Sequence, residues 1–190
     1  DSENPEYGGR IQVPLLTGEI GLSYHHRKID LSQHPLFSIL VFQDSSDEHR
    51  FGLDGKWDIG IGIWFESSLT YQDVNFTELR YQRLVTLGCD YTFDIGQGLH
   101  ILGEHFTAQT VKQVLGSGEG ISFTALYLNY PFGLIDSLTG IVYYDWENKE
   151  WYRYASWQRT YDKWQFIFST FWNPNEYRIN QGEHDQNLFG

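Results

Sequence analysis

The sequence predicts an all-β fold, an antiparallel up-and-down meander of about ten strands. Three observations lead to this prediction. Aromatic residues make up 17% of the chain and Met is absent, which favours strands and tight turns over helices. Two long segments alternate apolar and polar residues with a period of two. No apolar pattern with the helical period extends beyond about three turns.

The two alternating segments are the clearest strands. The first runs from Asp58 to Gln72, with the isoleucines and aromatics on one parity and Gly, Glu, Ser and Thr on the other. The second runs from Glu78 to Phe93 and repeats the pattern, with Arg83 as the exception on its apolar side. Strands of soluble proteins usually end after about five or six residues, whereas a strand that crosses a membrane needs about nine to eleven. Their length therefore favours membrane-spanning strands.

The remaining strands are less regular, and the connections between all of them alternate in length. The other predicted strands are Arg10–Pro14, Gly18–Lys28, His49–Leu53, Leu99–Thr107, Ile121–Tyr130, Ser137–Trp146, Glu150–Tyr161 and Lys163–Trp172. Compact turns are predicted at Leu15–Thr17, Asp54–Trp57, Asp94–Gly98, Pro131–Asp136 and around Asp162. The intervening connections are Ile29–Glu48, Asp73–Thr77, Thr107–Gly120, the brief Glu147–Lys149 and the polar tail after Asn173. Short turns and mostly longer loops thus fall at opposite ends of the sheet.

Composition excludes several classes of protein. The length predicts a single domain over residues 1–190. No stretch approaches the roughly 18 consecutive apolar residues of a membrane helix, whereas a membrane barrel keeps a moderate mean hydropathy because only alternate residues face lipid. A net charge of -12, with 25 acidic and 13 basic residues, argues against a nucleic-acid partner. The single cysteine, Cys89, rules out an intramolecular disulfide and a cysteine-based zinc site.

The chain resembles the Gram-negative outer-membrane porin-like β-barrels between Gly9 and Pro174. The resemblance is carried by the strand pair IGIGIWFESSLTYQ and LRYQRLVTLGCDYTF, the turn DIGQG, and the segments IVYYDWENKEWYRY and WQFIFSTFWNP. It implies a transmembrane β-barrel in the bacterial outer membrane, with short periplasmic turns and longer outer loops. Its partners would be membrane lipid, lipopolysaccharide and small polar solutes. Because family barrels keep both termini periplasmic, the strand count predicts a fragment lacking at least one strand at each end, from a parent of about twelve or more strands.

Two sets of residues are candidates for functional roles in such a barrel. The predicted pore-lining residues are Glu66, Arg80, Gln82, Asp90, Asp145, Arg153 and Arg159. The predicted interfacial aromatics are Trp57, Trp64, Trp146, Trp151, Trp164 and Trp172, although core packing or sugar stacking would use the same residues. Both signs of charge line the predicted interior, and this can create a transverse field in an open pore or a salt-bridged plug.

Catalytic and metal sites find little support in the sequence. His100, Glu104 and His105 have a spacing one residue longer than the inverted zinc motif, and they lie on a predicted strand instead of a helix. Glu66, Asp90 and Glu104 could support glycoside hydrolysis, but ordinary polarity of a barrel interior explains them more simply. We therefore predict no catalytic residue, no metal and no cofactor.

The leading functional hypothesis is a porin-like outer-membrane channel for passive diffusion of small polar solutes. One alternative is a soluble β-barrel or β-sandwich that binds a hydrophobic ligand or carbohydrate, with strands nearer six residues and tryptophans gathered at one cleft. Another is a non-conducting structural barrel of the outer membrane. The oligomeric state, the transported solute and the openness of the lumen do not follow from the sequence.

Overall fold

The computed structural model describes residues 6–30, 45–74 and 78–174. Within them, ten strands form one antiparallel sheet in the order of the sequence, which confirms the predicted all-β meander. The strands are β1 Tyr7–Leu15, β2 Gly18–Asp30, β3 Ser45–Asp58, β4 Gly62–Gln72, β5 Tyr81–Phe93, β6 Leu99–Val111, β7 Glu119–Phe132, β8 Asp136–Asp145, β9 Glu150–Thr160 and β10 Gln165–Trp172. No helix of these residues is long and apolar enough to cross a membrane.

One predicted turn is wrong. Asp54–Trp57 was expected to reverse the chain because Asp and Gly are frequent turn residues, but these residues continue β3 and pair with β2 and β4. The reversal occurs at 59–61, just beyond. There Gly60 has a φ of +93° and donates its N–H to Asp58 Oδ1 at 3.1 Å. A positive φ suits Gly, and the aspartate side chain completes the turn.

The predicted alternation of connection lengths is present in the fold. The strand bounds leave short turns at 16–17, 59–61, 94–98, 133–135 and 161–164, all at what we call the short-turn end of the sheet. The other connections, 31–44, 73–80, 112–118 and 146–149, lie at the opposite, long-loop end. Residues 31–44, 75–77 and the tail from 175 lie outside the described residues.

The sheet is a single open layer. Every pair of strands in contact is a pair of sequence neighbours, and β1 does not pair with β10. Among the described residues only Val74, Val111 and Tyr152 are buried hydrophobic residues. No second layer of strands or helices covers either side of the sheet in the described residues, so this part of the chain has no interior core of the kind that stabilises a globular domain.

The register divides the side chains into two faces, because directly paired residues of neighbouring strands point the same way. The apolar face contains Ile11, Leu22, Leu53, Leu69, Val85, Leu87, Ile101, Leu126 and Val142 with their direct partners. The polar face contains Gln12, Gly21, Asp54, Glu66 and Thr86, which form one paired row, and the residues of the same parity.

The strands are also staggered. Leu15 ends β1 at the short-turn end, and its row of directly paired residues reaches β10 at Trp172, which is the last residue of that strand at the long-loop end. The row passes through Gly18, Trp57, Ile63, Cys89, Gly103, Leu126, Val142 and Arg153. Such a stagger makes strands tilt around a barrel axis, so the open sheet has the geometry of part of a barrel wall.

Candidate functional site

The polar face lines a hollow of about 510 Å³. Six consecutive strands contribute to its lining, with Arg10 from β1, Ser23 from β2, Asp54 from β3, Glu66 from β4, Thr86 from β5 and Phe106 from β6. One hollow can collect residues from six neighbouring strands only if the sheet curves around it. The polar face is therefore the concave side of the partial barrel.

Arg10 and Asp54 join two strands that are not neighbours. The Nη1 and Nη2 atoms of Arg10 on β1 donate to the two carboxylate oxygens of Asp54 on β3 at 2.5 and 2.6 Å, which is the two-bond geometry favoured by guanidinium and carboxylate. The pair spans β2 above Gly21, where an added Cβ would collide with the guanidinium. A glycine at this position thus leaves room for the ion pair.

A second cluster surrounds Glu48 near the long-loop end of the polar face. The Glu48 side chain is only 3% exposed and accepts hydrogen bonds from Arg27 Nε at 2.7 Å and from Gln72 Nε2 at 2.9 Å. Both partners sit directly opposite it, on β2 and β4. Arg50 Nη2 lies 3.5 Å from the same carboxylate. A buried carboxylate needs such partners because burial without them would be costly.

A third group connects β1, β2 and β3 closer to the short-turn end. Lys56 Nζ lies 3.1 Å from Glu19 Oε1, and Gln12 donates to the other oxygen of that carboxylate at 2.5 Å. All four Arg and Lys side chains that the described strands place on the polar face are therefore bound to carboxylates.

The predicted pore-lining residues do not all share one face. Glu66, Gln82, Asp90 and Asp145 lie on the polar face, and Arg80 lies just before β5, 3.9 Å from Asp73. Asp145 is 2% exposed, and its Oδ1 accepts the backbone N–H groups of Glu147 and Asn148 at 3.0 Å each. It therefore closes the turn between β8 and β9 instead of presenting a free charge.

Arg153 and Arg159 lie on the apolar face, so the prediction that they share a face with the other candidates is wrong. Arg153 is directly opposite Val142, and Arg159 is opposite Asp136. Strand β9 alternates poorly, and only its pairing with β8 reveals which parity faces which way. Arg159 donates to both oxygens of Asp136 at 2.9 and 2.8 Å, so its charge is matched on this face.

The other arginines of the apolar face are also accommodated locally. The Arg153 guanidinium lies 5.9 Å from the centre of the Trp151 ring. Arg83 donates to the side-chain oxygen of Gln109 and, at 3.2 Å, to the backbone carbonyl of Val114 in the 112–118 loop. These contacts lie toward the long-loop end, where a long cationic side chain can reach a polar environment.

Most aromatic residues of the apolar face lie in two belts, whereas Phe65 and Phe168 share this face but belong to neither. The long-loop belt consists of Tyr7, Tyr24, Phe51, Tyr71, Tyr81, Tyr144, Trp151 and Trp172, and the short-turn belt of Trp57, Tyr91, Phe93, Tyr130, Phe132, Trp157 and Phe166. Trp146 and Trp164 lie in connections beside these two belts, at opposite ends of the sheet. Trp64 is an exception to the predicted set, because it lies on the polar face with its ring against Gly88.

Sequence reasoning missed the main charged clusters. Arg10 and Arg27 were placed in strands without a role, Asp54 was placed in a turn, and Glu48 in a loop. The signal was the parity of β3, where Glu48, Arg50, Asp54 and Lys56 alternate with Phe51, Leu53 and Trp57 over the whole strand. The partners lie on other strands, so only the register shows which charges meet.

The residues weighed as a metal site do not converge. His100 and Glu104 lie on the polar face of β6, whereas His105 lies on the apolar face and contacts Thr124 at 2.8 Å. No group of three or more His, Cys, Asp or Glu side chains in the described part of the chain could hold a metal ion.

Comparison with protein-family models, with curated proteins and with solved structures found no match. The fold class, an open antiparallel meander with the stagger of a partial barrel, is thus established by its geometry.

Proposed function

We propose that the chain forms the wall of an outer-membrane β-barrel that acts as a porin-like channel for passive diffusion of small polar solutes. The observation that carries the proposal is the uncovered apolar face. Ile11 is 71% exposed, Leu22 57% and Leu87 52%, although all three lie within strands. Water-soluble proteins rarely expose a continuous apolar surface of this extent. Lipid acyl chains would cover it at no cost in desolvation.

The arrangement of that face supports a bilayer as its solvent. An aliphatic band separates the two aromatic belts, and Tyr and Trp favour the two boundaries between hydrocarbon and water. The strands contain 8 to 14 residues, which includes the length that a tilted strand needs to cross a membrane. The soluble binding module considered above instead requires shorter strands and one tryptophan-lined cleft.

The concave polar face supports the assignment of a water-filled lumen. Charged and hydroxylated side chains are frequent on it along β1 to β6, beside apolar ones such as Leu84 and Phe106, and several charged side chains remain partly exposed. In this proposal, small hydrophilic solutes pass along that face, while lipid and lipopolysaccharide contact the other. The arginines beside the aromatic belts would meet the lipid head groups.

A membrane barrel must also satisfy the outer edges of β1 and β10, because unpaired backbone groups are costly in hydrocarbon. The two strands run antiparallel to each other, since ten strands alternate in direction between them. Either direct pairing or an even number of additional strands therefore closes the barrel.

The non-conducting barrel remains the second candidate because of one observation. The Arg10–Asp54 pair bridges two strands across the concave face, and such bridges can fill a narrow lumen. The two candidates share the membrane fold and differ in conductance.

The test of the proposal uses the full-length protein extracted from an outer-membrane fraction in detergent. A folded band that migrates faster on a gel before boiling than after it, together with discrete conductance steps in planar bilayers, would support the channel. A folded barrel that never conducts would favour the structural barrel. A monomeric protein that is soluble without detergent would refute both.

A further inference from the structure

Charged residues on the concave polar face are distributed unevenly. The described strands place four basic residues there, Arg10, Arg27, Arg50 and Lys56, against ten acidic residues, Glu19, Glu48, Asp54, Asp58, Glu66, Asp90, Glu104, Glu119, Asp145 and Glu150. All four basic residues lie on β1 to β3. On β4 to β10 this face has no Lys or Arg in the described strands, and all its Asp and Glu residues therefore lack a basic neighbour of those two types on these strands.

The basic side chains are already neutralised by neighbouring carboxylates. Both donating nitrogens of Arg10 that face the hollow are taken by Asp54, and Arg27 and Arg50 converge on Glu48. Lys56 is paired with Glu19. An anion that entered the hollow would therefore have to compete with protein carboxylates that are already in contact.

Glu66 and Glu104 are in the opposite situation. Neither carboxylate has a hydrogen bond or ion pair among the described residues, and Glu66 lines the hollow. Glu66 also stands directly opposite Asp54, so two carboxylates occupy adjacent cross-strand positions. Like charges placed directly opposite each other destabilise a sheet unless a counter-charge is present. Arg10 is hydrogen-bonded to Asp54 and also interacts electrostatically with Glu66, but the Glu66 carboxylate accepts no hydrogen bond from it and lines the hollow.

From this segregation we propose that the polar face selects permeating ions by charge, favouring cations over anions, with Glu66 and Glu104 as the selectivity-determining residues. The inference rests on the proposed channel function and specifies its preferred solute. Free carboxylates along a water-filled passage raise the local cation concentration and lower that of anions. The passage discriminates through this field, with no need for a tight binding site.

The experiment measures the reversal potential of single channels of the full-length protein under a KCl gradient near 0.1 M. We expect a potassium-to-chloride permeability ratio above one. Glu66→Gln and Glu104→Gln should each reduce that ratio about twofold, because one unit charge roughly 8 Å away, screened by about 0.1 M salt, changes the local concentrations of cation and anion by about 1.5-fold in opposite directions. Glu78→Gln is the matched control, because it removes the same charge from the connection before β5, where Glu78 pairs with Lys112, and it should leave the ratio unchanged.

Salt provides an independent readout. The electrostatic screening length falls from about 10 Å at 0.1 M salt to about 3 Å at 1 M, so the preference for potassium over chloride should weaken at the higher concentration.

Equal or chloride-favouring permeability in a conducting wild-type channel would overturn the inference of cation selectivity but not the proposed channel function. An unchanged potassium-to-chloride permeability ratio in a variant that carries both Glu66→Gln and Glu104→Gln would refute the roles of these two residues. Correctly folded protein that never conducts would overturn the channel proposal, and the inference with it. Should Glu66→Gln fail to fold, Glu104→Gln carries the same test.

Discussion

Arg10 and Asp54 form a two-bond ion pair that ties β1 to β3 across the intervening β2. A second contact also crosses β2, because Trp57 Nε1 on β3 donates to the Leu15 carbonyl at the end of β1 at 3.0 Å. The ion pair stabilises β1, an edge strand whose residues are all exposed, through a partner two strands away. The ion pair is possible because Gly21 has no side chain and because the polar face is concave.

Gly21→Ala should therefore destabilise the barrel, since the added Cβ would displace the Arg10 guanidinium. Solvent screens this partly exposed pair, so we expect a modest decrease in the midpoint of unfolding and no loss of folding. The measurement is the urea midpoint of unfolding in lipid vesicles, followed by tryptophan fluorescence. Gly9→Ala is the control on the same hairpin, because no heavy atom lies within 4 Å of its added Cβ. Equal midpoints for the two variants would contradict the prediction.

The buried carboxylate of Glu48 should depend strongly on Arg27. Arg27→Met removes the closest donor to Glu48, leaving a buried charge with weaker partners, and we expect a loss of about 1–3 kcal/mol in the free energy of unfolding. Arg50→Met provides the comparison, because Arg50 approaches the same carboxylate only to 3.5 Å and is half exposed. Arg50→Met should therefore lower the free energy of unfolding by less than Arg27→Met does. Adding Glu48→Gln to Arg27→Met should recover part of the lost free energy of unfolding, because it removes the buried charge. A larger loss for Arg50→Met than for Arg27→Met would contradict the prediction that Glu48 depends mainly on Arg27.

Tryptophan fluorescence can test which face meets lipid. The chain has 7 Trp residues, and bromine atoms on lipid acyl chains quench those that lie within the bilayer. Replacing Trp57 or Trp172 by Phe should reduce the quenchable fraction, because both lie on the apolar face. Replacing Trp64 should instead remove unquenched signal, since its ring lies on the polar face. The assignment of faces fails if Trp64 accounts for quenching as strongly as the other two.

Cysteine labelling examines the same assignment within one strand. Cys89 is the single cysteine and lies on the apolar face of β5. In vesicles it should resist a charged, water-soluble maleimide. In a Cys89→Ser background, Thr86→Cys should react, because position 86 lines the concave hollow three residues away. Reaction at position 89 together with protection at position 86 would reverse the two faces.

Alternation with a period of two made most of the fold predictable. It identified the β4–β5 pair, the meander and the two kinds of connection, because each of these depends on local sequence. Turn-forming residue types misled the prediction at Asp54–Trp57, because these residues belong to a long strand that is paired on both sides. Alternation itself failed for Arg153 and Arg159, because a strand with poor alternation does not indicate which parity faces which way.

The sequence by itself therefore determined the strand class, the apolar pattern and the aromatic enrichment, since these follow from residue type and spacing. Only the tertiary structure decided that Arg10 meets Asp54, that Glu48 is buried between Arg27 and Gln72, and that Glu66 has no hydrogen bond or close ion pair among the described residues. These relationships join residues from different strands. They depend on register and curvature, which set distances between side chains that the order of residues along one strand does not contain.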